Sequence, residues 1–355
     1  MRKCSTEEHF IGVDFHKETT VVTRLRYDGS RVGATEFYPS THAGLAALRS
    51  SCGAEDHVAV EATYHWALFA DAFDDFEGEL ALGHPLKNRL IAESRNKNDK
   101  VDSRVLADLL RTNFLARAWI APREVREARE LLRYRASLVR IQTSLKNRIR
   151  ALMAKAGATI EAKDLFSGKG LRELQGLTLG ATRELIVKNM VDLVAPLKKQ
   201  IKVTEDEIER QVEVSAEARL LDTIKGIGAL SALTIVSEIG TVERFSRAGK
   251  LVSYAGMAPS NRNSGALVRH GKLTKQGSPW LRWILVEAVN NVVKAYPSMA
   301  RLQARVAASQ GQRKNAGRIA VARQLLVSIY HMLKRNEPFR PKRIGQAQHV
   351  RAQSR

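Results

Sequence analysis

The chain has 355 residues, 44% of them hydrophobic, with a formal net charge of +21, so it is long for one domain and apolar enough to bury more than one core. Two cysteines, Cys4 and Cys52, exclude a disulfide framework and a four-thiolate zinc site and fit a reducing, cytosolic compartment. The first residues lack the apolar core of a signal peptide, and no apolar run reaches the roughly 18 residues of a membrane span, so a soluble, unexported protein is expected.

In chain order, residues 9–39 read as three β segments, 9–14, 19–26 and 32–38, with a turn at Asp28-Gly29. A helix is expected from Ser40 or Thr41, then a strand ending at Glu61, a helix over about 64–76 and a short strand at 79–82. Pro85 to Asn98 reads as a loop plus a short helix, and 99–112 as a helix. A strand pair followed by alternating helices and strands predicts an α/β domain. From about residue 124 the pattern becomes helical. Leu131, Leu138, Leu145 and Leu152 recur every seven residues, with Tyr134 and Ile141 three after the first two, and a second such stripe covers about 190–214. The two helices can pair within one chain or mediate dimerisation; the stretch 157–180 between them gives no clear pattern. Residues 217–240 read as two short helices around Ile224-Lys225-Gly226-Ile227-Gly228, and 241–275, rich in Gly, Ser and Asn, as turns and short helices. Helices follow from Trp280 to about 295 and over 316–335, and the basic, Pro-containing tail from Pro338 is expected to be disordered in isolation.

Charge divides the chain. Residues 1–120 carry 15 Lys+Arg and 18 Asp+Glu, a net of −3, which leaves +24 on the rest. The last hundred residues hold 19 Lys+Arg against only Glu287 and Glu337, a net of +17. A block so poor in acids predicts a polyanion partner, most simply nucleic acid, although a basic, well-solvated surface has the same composition.

Four carboxylates carry the clearest chemistry. Asp14 ends the apolar run from Phe10, Glu61 ends another from His57, and Asp99 and Asp102 lie three apart on one helix face. Acids brought together repel unless they share cations, and oxygen donors suit Mg²⁺, so two ions and phosphoryl transfer are expected. Each acid alone has a plainer reading, as a strand end or a helix first turn that complements the dipole. The Lys225-Gly226-Ile227-Gly228 segment matches a helix-hairpin-helix, whose glycines let backbone N–H groups approach a phosphate. A tight turn between packed helices would use the same residues. Ser264 sits before Gly265 in a polar loop with Arg262, Arg269, His270, Lys272 and Lys275 nearby, and Arg282 follows. A serine attacks phosphorus only when cations stabilise the developing charge, and from the residues alone a turn serine is the simpler reading. A phosphate-loop reading of Gly265 to Lys272 fails, because five residues separate the glycines and Leu273 replaces Ser/Thr.

Taken together, Ile11-Gly12-Val13-Asp14-Phe15-His16-Lys17, Glu61, Asn98-Asp99-Lys100-Val101-Asp102, Gly256-Met257-Ala258-Pro259, Asn263-Ser264-Gly265, Gly271-Lys272 and Lys275 through Arg282 resemble the DEDD transposases of the insertion sequence 110 family over about residues 9–295. The resemblance implies an RNase H-like (RuvC-like) domain over 1–120, a helical coiled-coil region over 121–215, a mostly α transposase domain over 216–335 with the helix-hairpin-helix-like motif, and a basic tail over 336–355. It further implies that Asp14, Glu61, Asp99 and Asp102 bind Mg²⁺, and that Ser264 forms a covalent phosphoserine link to DNA. Lys225, Gly226, Gly228, Arg262, Arg269, Lys272, Lys275 and Arg282 would contact nucleic acid. Partners implied are donor and target DNA, a structured bridge RNA that pairs with both, and further copies of the chain in a dimer or tetramer, with acids and serine supplied by different subunits. Where many relatives have Ser-Ser-Gly this chain has Asn263-Ser264-Gly265, so Ser264 is the nucleophile candidate there. Two other readings stay open: a RuvC-like junction nuclease that uses water, and a non-catalytic nucleic-acid-binding protein with structural acids.

Overall fold

The computed structural model describes residues 8–91, 99–264, 267–309 and 311–340. The chain separates into two compact units, 1–123 and 124–355.

The first unit is a mixed sheet with helices on both faces. Strand β1 (Phe10–Phe15) forms a hairpin with β2 (Thr19–Leu25), and β3 (Glu36–Pro39) adds antiparallel to β2. The third strand begins later than the sequence suggests. Gly33 has φ 71°, a left-handed conformation that interrupts a strand, and residues before it make only one bridge, Leu25 to Arg31. Helix α1 (His42–Ser50) starts where the hydroxyl of Thr41 accepts from the Gly44 N–H at 3.2 Å. Strand β4 (His57–Glu61), helix α2 (Trp66–Ala72), strand β5 (Glu79–Gly83), helix α3 (Pro85–Ile91), helix α4 (Asp99–Arg111) and strand β6 (Arg117–Ala118) complete the unit. Helix α2 is shorter than the expected 64–76, ending at Ala72, and β6 has only two residues, too few to leave a periodic signal. The sheet order is β3-β2-β1-β4-β5-β6, with β1, β4 and β5 parallel. Alternation along β1 sends Ile11, Val13 and Phe15 to one face, where they pack with Leu45, Leu48, Phe69 and Phe73, and Phe10, Gly12 and Asp14 to the other, against α4. This mixed α/β architecture is consistent with an RNase H-like domain.

The second unit is mostly helical. Helix α5 (Arg123–Lys155) runs 33 residues and is followed by α6 (Gly168–Gln175), α7 (Ala181–Asp192) and α8 (Val194–Val214). The two helical stripes pair within the chain. Leu132 shares a core with Ile208 and Val212, Ile149 and Met153 share another with Val194, and Arg135 Nε donates to Glu205 Oε1 at 3.0 Å, so α5 and α8 run antiparallel. The buried positions are shifted from the heptad seam: Tyr134 and Ile141, expected on it, are 48% and 47% exposed. Helices α9 (Ala216–Asp222) and α10 (Ala229–Ile239), a single 3₁₀ turn at Val242–Arg244 and α11 (Ala248–Tyr254) come next.

The stretch expected to hold only turns and short helices also contains a β hairpin, β7 (Pro259–Ser264) and β8 (Leu267–Leu273). Its first strand, Pro-Ser-Asn-Arg-Asn-Ser, is made of residues that disfavour strands, so composition hid it. Helices α12 (Pro279–Ala295), α13 (Pro297–Ser309) and α14 (Lys314–Arg335) close the unit, α13 being unforeseen. The predicted tail lies outside the described residues beyond Arg340.

Glu238 joins three parts of this unit. It is 5% exposed on α10, accepts from Arg133 of α5 at 3.1 Å, and accepts the Ser278 hydroxyl at 2.8 Å. Ser278 Oγ in turn caps α12 by accepting the Leu281 N–H at 3.0 Å. Glu238→Ala leaves the two donors without their acceptor and is expected to cost about 2 kcal/mol, read as a lower urea midpoint at unchanged slope.

Candidate active site and nucleic-acid interface

Parallel pairing puts Val13 opposite Val60, so the next residues, Asp14 and Glu61, leave adjacent strand ends on the same face of the sheet. Helix α4 crosses that face at unusually close range. A Cβ on Gly12 would lie 1.9 Å from the Ser103 carbonyl oxygen and 2.5 Å from the Ala107 nitrogen, so only glycine lets the helix seat there. A buried hydrogen bond between the Thr23 and Ser103 hydroxyls, 2.8 Å, fixes the helix over β2 as well. This seating brings Asp102, the neighbour of Ser103, to the carboxylates of the strands.

Asp14, Glu61 and Asp102 line one cleft of about 290 Å³, with Asn88 and Arg89 of α3 in its wall. The Asp14 carboxylate is 13% exposed and is held at 3.0 Å by His16 Nε2. Among the described residues no three His, Cys, Asp or Glu side chains are already drawn into a metal-holding group. The donor set still matches a hard divalent cation: three carboxylates face one polar cleft, and oxygen ligands are what Mg²⁺ or Mn²⁺ takes. Asp99 opens α4 one turn before Asp102, which places it on the same helix face; its side chain lies outside the described residues.

Sequence reasoning missed three participants. His16 follows Asp14 by two, the spacing that returns a side chain to one side of extended backbone, so its signal was present. Asn88 is 4% exposed, and its Oδ1 accepts from the Ala116 N–H at 2.7 Å; nothing in its local pattern announces this. Gly12 was quoted only as part of a motif, although the contact beneath it positions α4.

In the second unit, Ser264 pairs with Leu267, which sets it at the turn end of the β7–β8 hairpin, and Arg262 lies opposite Arg269. The side chains of Arg262, Ser264, Arg269 and Lys272 lie outside the described residues. The foot of the hairpin is built tightly. Gly256 and Gly277 have φ 65° and 131°, and a Cβ on Gly277 would lie 2.0 Å from the Tyr254 carbonyl oxygen. Arg282 Nη1 donates to the carbonyls of Ala255 at 3.0 Å and Lys275 at 3.4 Å, so this guanidinium braces the turn. Lys275, exposed, has φ 52° within that turn.

In the helix-hairpin-helix-like segment the two glycines differ. Gly226, φ 102°, packs so closely on α12 that a Cβ would meet Val292 N at 2.7 Å, which is a packing requirement. Gly228 faces open space at the start of α10, and Lys225 is exposed beside it, its N–H held by the Tyr296 hydroxyl at 3.0 Å. Gly228 and Lys225 are thus accessible to a ligand. No helix among the described residues is long and apolar enough to cross a membrane.

Residues 11–157, containing the four acids, match a DEDD transposase model of the IS110 type, and residues 218–305, containing the hairpin, match the "Transposase IS116/IS110/IS902 family" model. A probable family 20 transposase of Pseudomonas aeruginosa is 23% identical over 344 residues, covering 93% of this chain and 94% of that protein. The transposase of insertion sequence element IS1111A from Coxiella burnetii is 23% identical over 252 residues, 69% of each chain. A pilin gene-inverting protein of Moraxella bovis is 34% identical over 129 residues, 36% of this chain and 40% of that one. Such a DEDD domain suggests dependence on a divalent metal and an enzyme that cleaves and recombines DNA. The chain belongs to the IS110 family of insertion-sequence transposases.

Proposed function

We propose that this transposase is an RNA-guided DNA recombinase that cuts, exchanges and rejoins strands through a phosphoserine intermediate. The observation that carries the reading is the cleft in which Asp14, Glu61 and Asp102 converge under α4. Mg²⁺, two ions in this reading, would be held by Asp14, Glu61, Asp99 and Asp102 and would stabilise charge on the attacking and leaving oxygens when bound. His16 holds one Asp14 oxygen at 3.0 Å and so helps orient the carboxylate.

Ser264 Oγ would attack a DNA phosphorus, forming a P–O bond as the bond to a sugar oxygen breaks. The serine proton leaves to solvent or a nearby base, and the freed sugar oxygen takes up a proton. Because the phosphodiester is exchanged rather than hydrolysed, a sugar hydroxyl can attack the serine ester and rejoin a strand. The Moraxella relative named as a gene-inverting protein supports rejoining over simple cutting, since inversion requires both.

Arg262, Arg269, Lys272, Lys275, Lys225 and Gly228 would contact nucleic-acid backbones, with Gly226 packing the turn against α12 and Arg282 holding the turn at Lys275. The net of +17 on the last hundred residues supports donor DNA, target DNA and a bridge RNA as partners, with the chain acting as a homo-oligomer.

The reading is tested by incubating the protein with guide RNA, labelled DNA and Mg²⁺, then denaturing. Wild type is expected to give a covalent protein–DNA adduct and Ser264→Ala none. Cutting that persists in Ser264→Ala without any adduct would support the water-using nuclease, and an adduct in that variant would rule out the serine.

A further inference from the structure

Arg323 of α14 reaches the foot of the serine hairpin. Its Nη2 donates to the Met257 carbonyl at 2.8 Å, two residues before β7 begins. Its Nε is buried without a hydrogen-bond partner, and among the described residues no carboxylate lies within ion-pair distance of the guanidinium. Burial alone pulls it below its usual pKa. A guanidinium keeps its proton at any working pH, so a partly desolvated one calls for an anion. The surrounding sequence offers none readily: residues 256–355 contain only Glu287 and Glu337 as acids. Arg318, on the same helix, also has a buried, unpartnered Nε, but its Nη2 meets the side chain of Asn290 at 2.9 Å. Among the described residues, Arg323 meets a backbone carbonyl, a neutral acceptor that engages one of its five donors.

We propose that Arg323 binds a phosphate oxygen of the DNA strand presented to the hairpin. The proposal rests on the reading that this chain handles DNA, and it holds whether or not Ser264 is the nucleophile. Met257 and Ser264 are seven positions apart, at most roughly 23 Å at the rise of a strand, so in the proposed reading the phosphate bound is a few nucleotides from the one cut. Arg323 therefore acts on affinity. The contact requires one positive charge within reach of one phosphate oxygen, which lysine can also supply.

Two substitutions separate this role from that of a structural brace. Arg323→Gln keeps an N–H donor for the Met257 carbonyl and removes the charge; Arg323→Lys keeps the charge. Binding of a fluorescein-labelled DNA duplex is followed by anisotropy across a salt series. Arg323→Gln is expected to reduce the slope of log K against log salt by about 0.9, the loss of one phosphate contact, with Arg323→Lys close to wild type. An unchanged slope in folded Arg323→Gln would overturn the proposal. If that variant does not fold, wild-type protein is modified with phenylglyoxal and mapped by mass spectrometry. Protection of Arg323 by the duplex supports the contact, and equal modification with and without DNA overturns it. Ser264→Ala is expected to retain both the slope and the protection, so failure of the serine chemistry reads out separately, in the adduct assay alone.

Discussion

Asp14→Asn is expected to lower strand cleavage at least ~1,000-fold, roughly 4 kcal/mol of transition-state stabilisation, while leaving the fold intact. The substitution is nearly isosteric and keeps an acceptor for His16, so the unfolding midpoint should move little. It removes the negative charge from the centre of the acid set, at the end of β1, where two flanking strands and α4 fix its position. The loss should appear at every Mg²⁺ concentration tested, or be partly relieved only at very high metal, because a carboxamide is a far weaker ligand for a hard cation. Cleavage assays with wild type and Asp14→Asn across a metal titration check this. Activity within tenfold of wild type would place the chemistry elsewhere and favour a structural role for the acids.

Gly12→Ala should damage stability and activity together. The added methyl carbon would sit 1.9 Å from the Ser103 carbonyl oxygen, against backbone that cannot rotate away. Helix α4 must lift, opening the packing of Leu106, Leu109 and Leu110 on the sheet and breaking the hydroxyl pair of Thr23 and Ser103. Overpacking of this kind costs about 3 kcal/mol, read from urea denaturation of the first unit. Cleavage should fall even at temperatures where the protein remains folded, since Asp102 moves with the helix. A folded, fully active Gly12→Ala protein would show that α4 is not fixed by this contact.

Much of this was legible in the sequence because chemistry and periodicity coincided there. Asp14 and Glu61 terminate apolar runs, and such runs become parallel core strands whose ends align. The glycine pair at 226 and 228 marked a turn, yet sequence could not divide its two uses; only the approach of α12 assigns Gly226 to packing. The β7–β8 hairpin was hidden because a two-stranded ribbon of polar residues lacks the alternation that reveals a strand with one buried face. The long helix was legible and its leucines Leu131, Leu138, Leu145 and Leu152 do face the cores, but Tyr134 and Ile141 do not. The heptad stripe joined Tyr134 and Ile141 to the leucines, whereas the buried side of α5 is set by different partners along its length, the C-terminal core near Leu132 and the α6–α8 cluster near Ile149. Arg323 gave no local signal, because its role depends on a carbonyl 66 positions away in the chain.

The seat of α4 on Gly12 also acts as a safeguard. A protein that breaks chromosomes is hazardous when misfolded, and local opening of a peripheral helix is among the commonest partial failures of a folded domain. In the proposed site that failure would carry Asp99 and Asp102 away in one movement and leave Asp14 and Glu61 short of half their set. A damaged or half-folded copy would then be inert toward its host's DNA, since under the proposed function the helix that must be docked for the domain to be whole is the one that arms it.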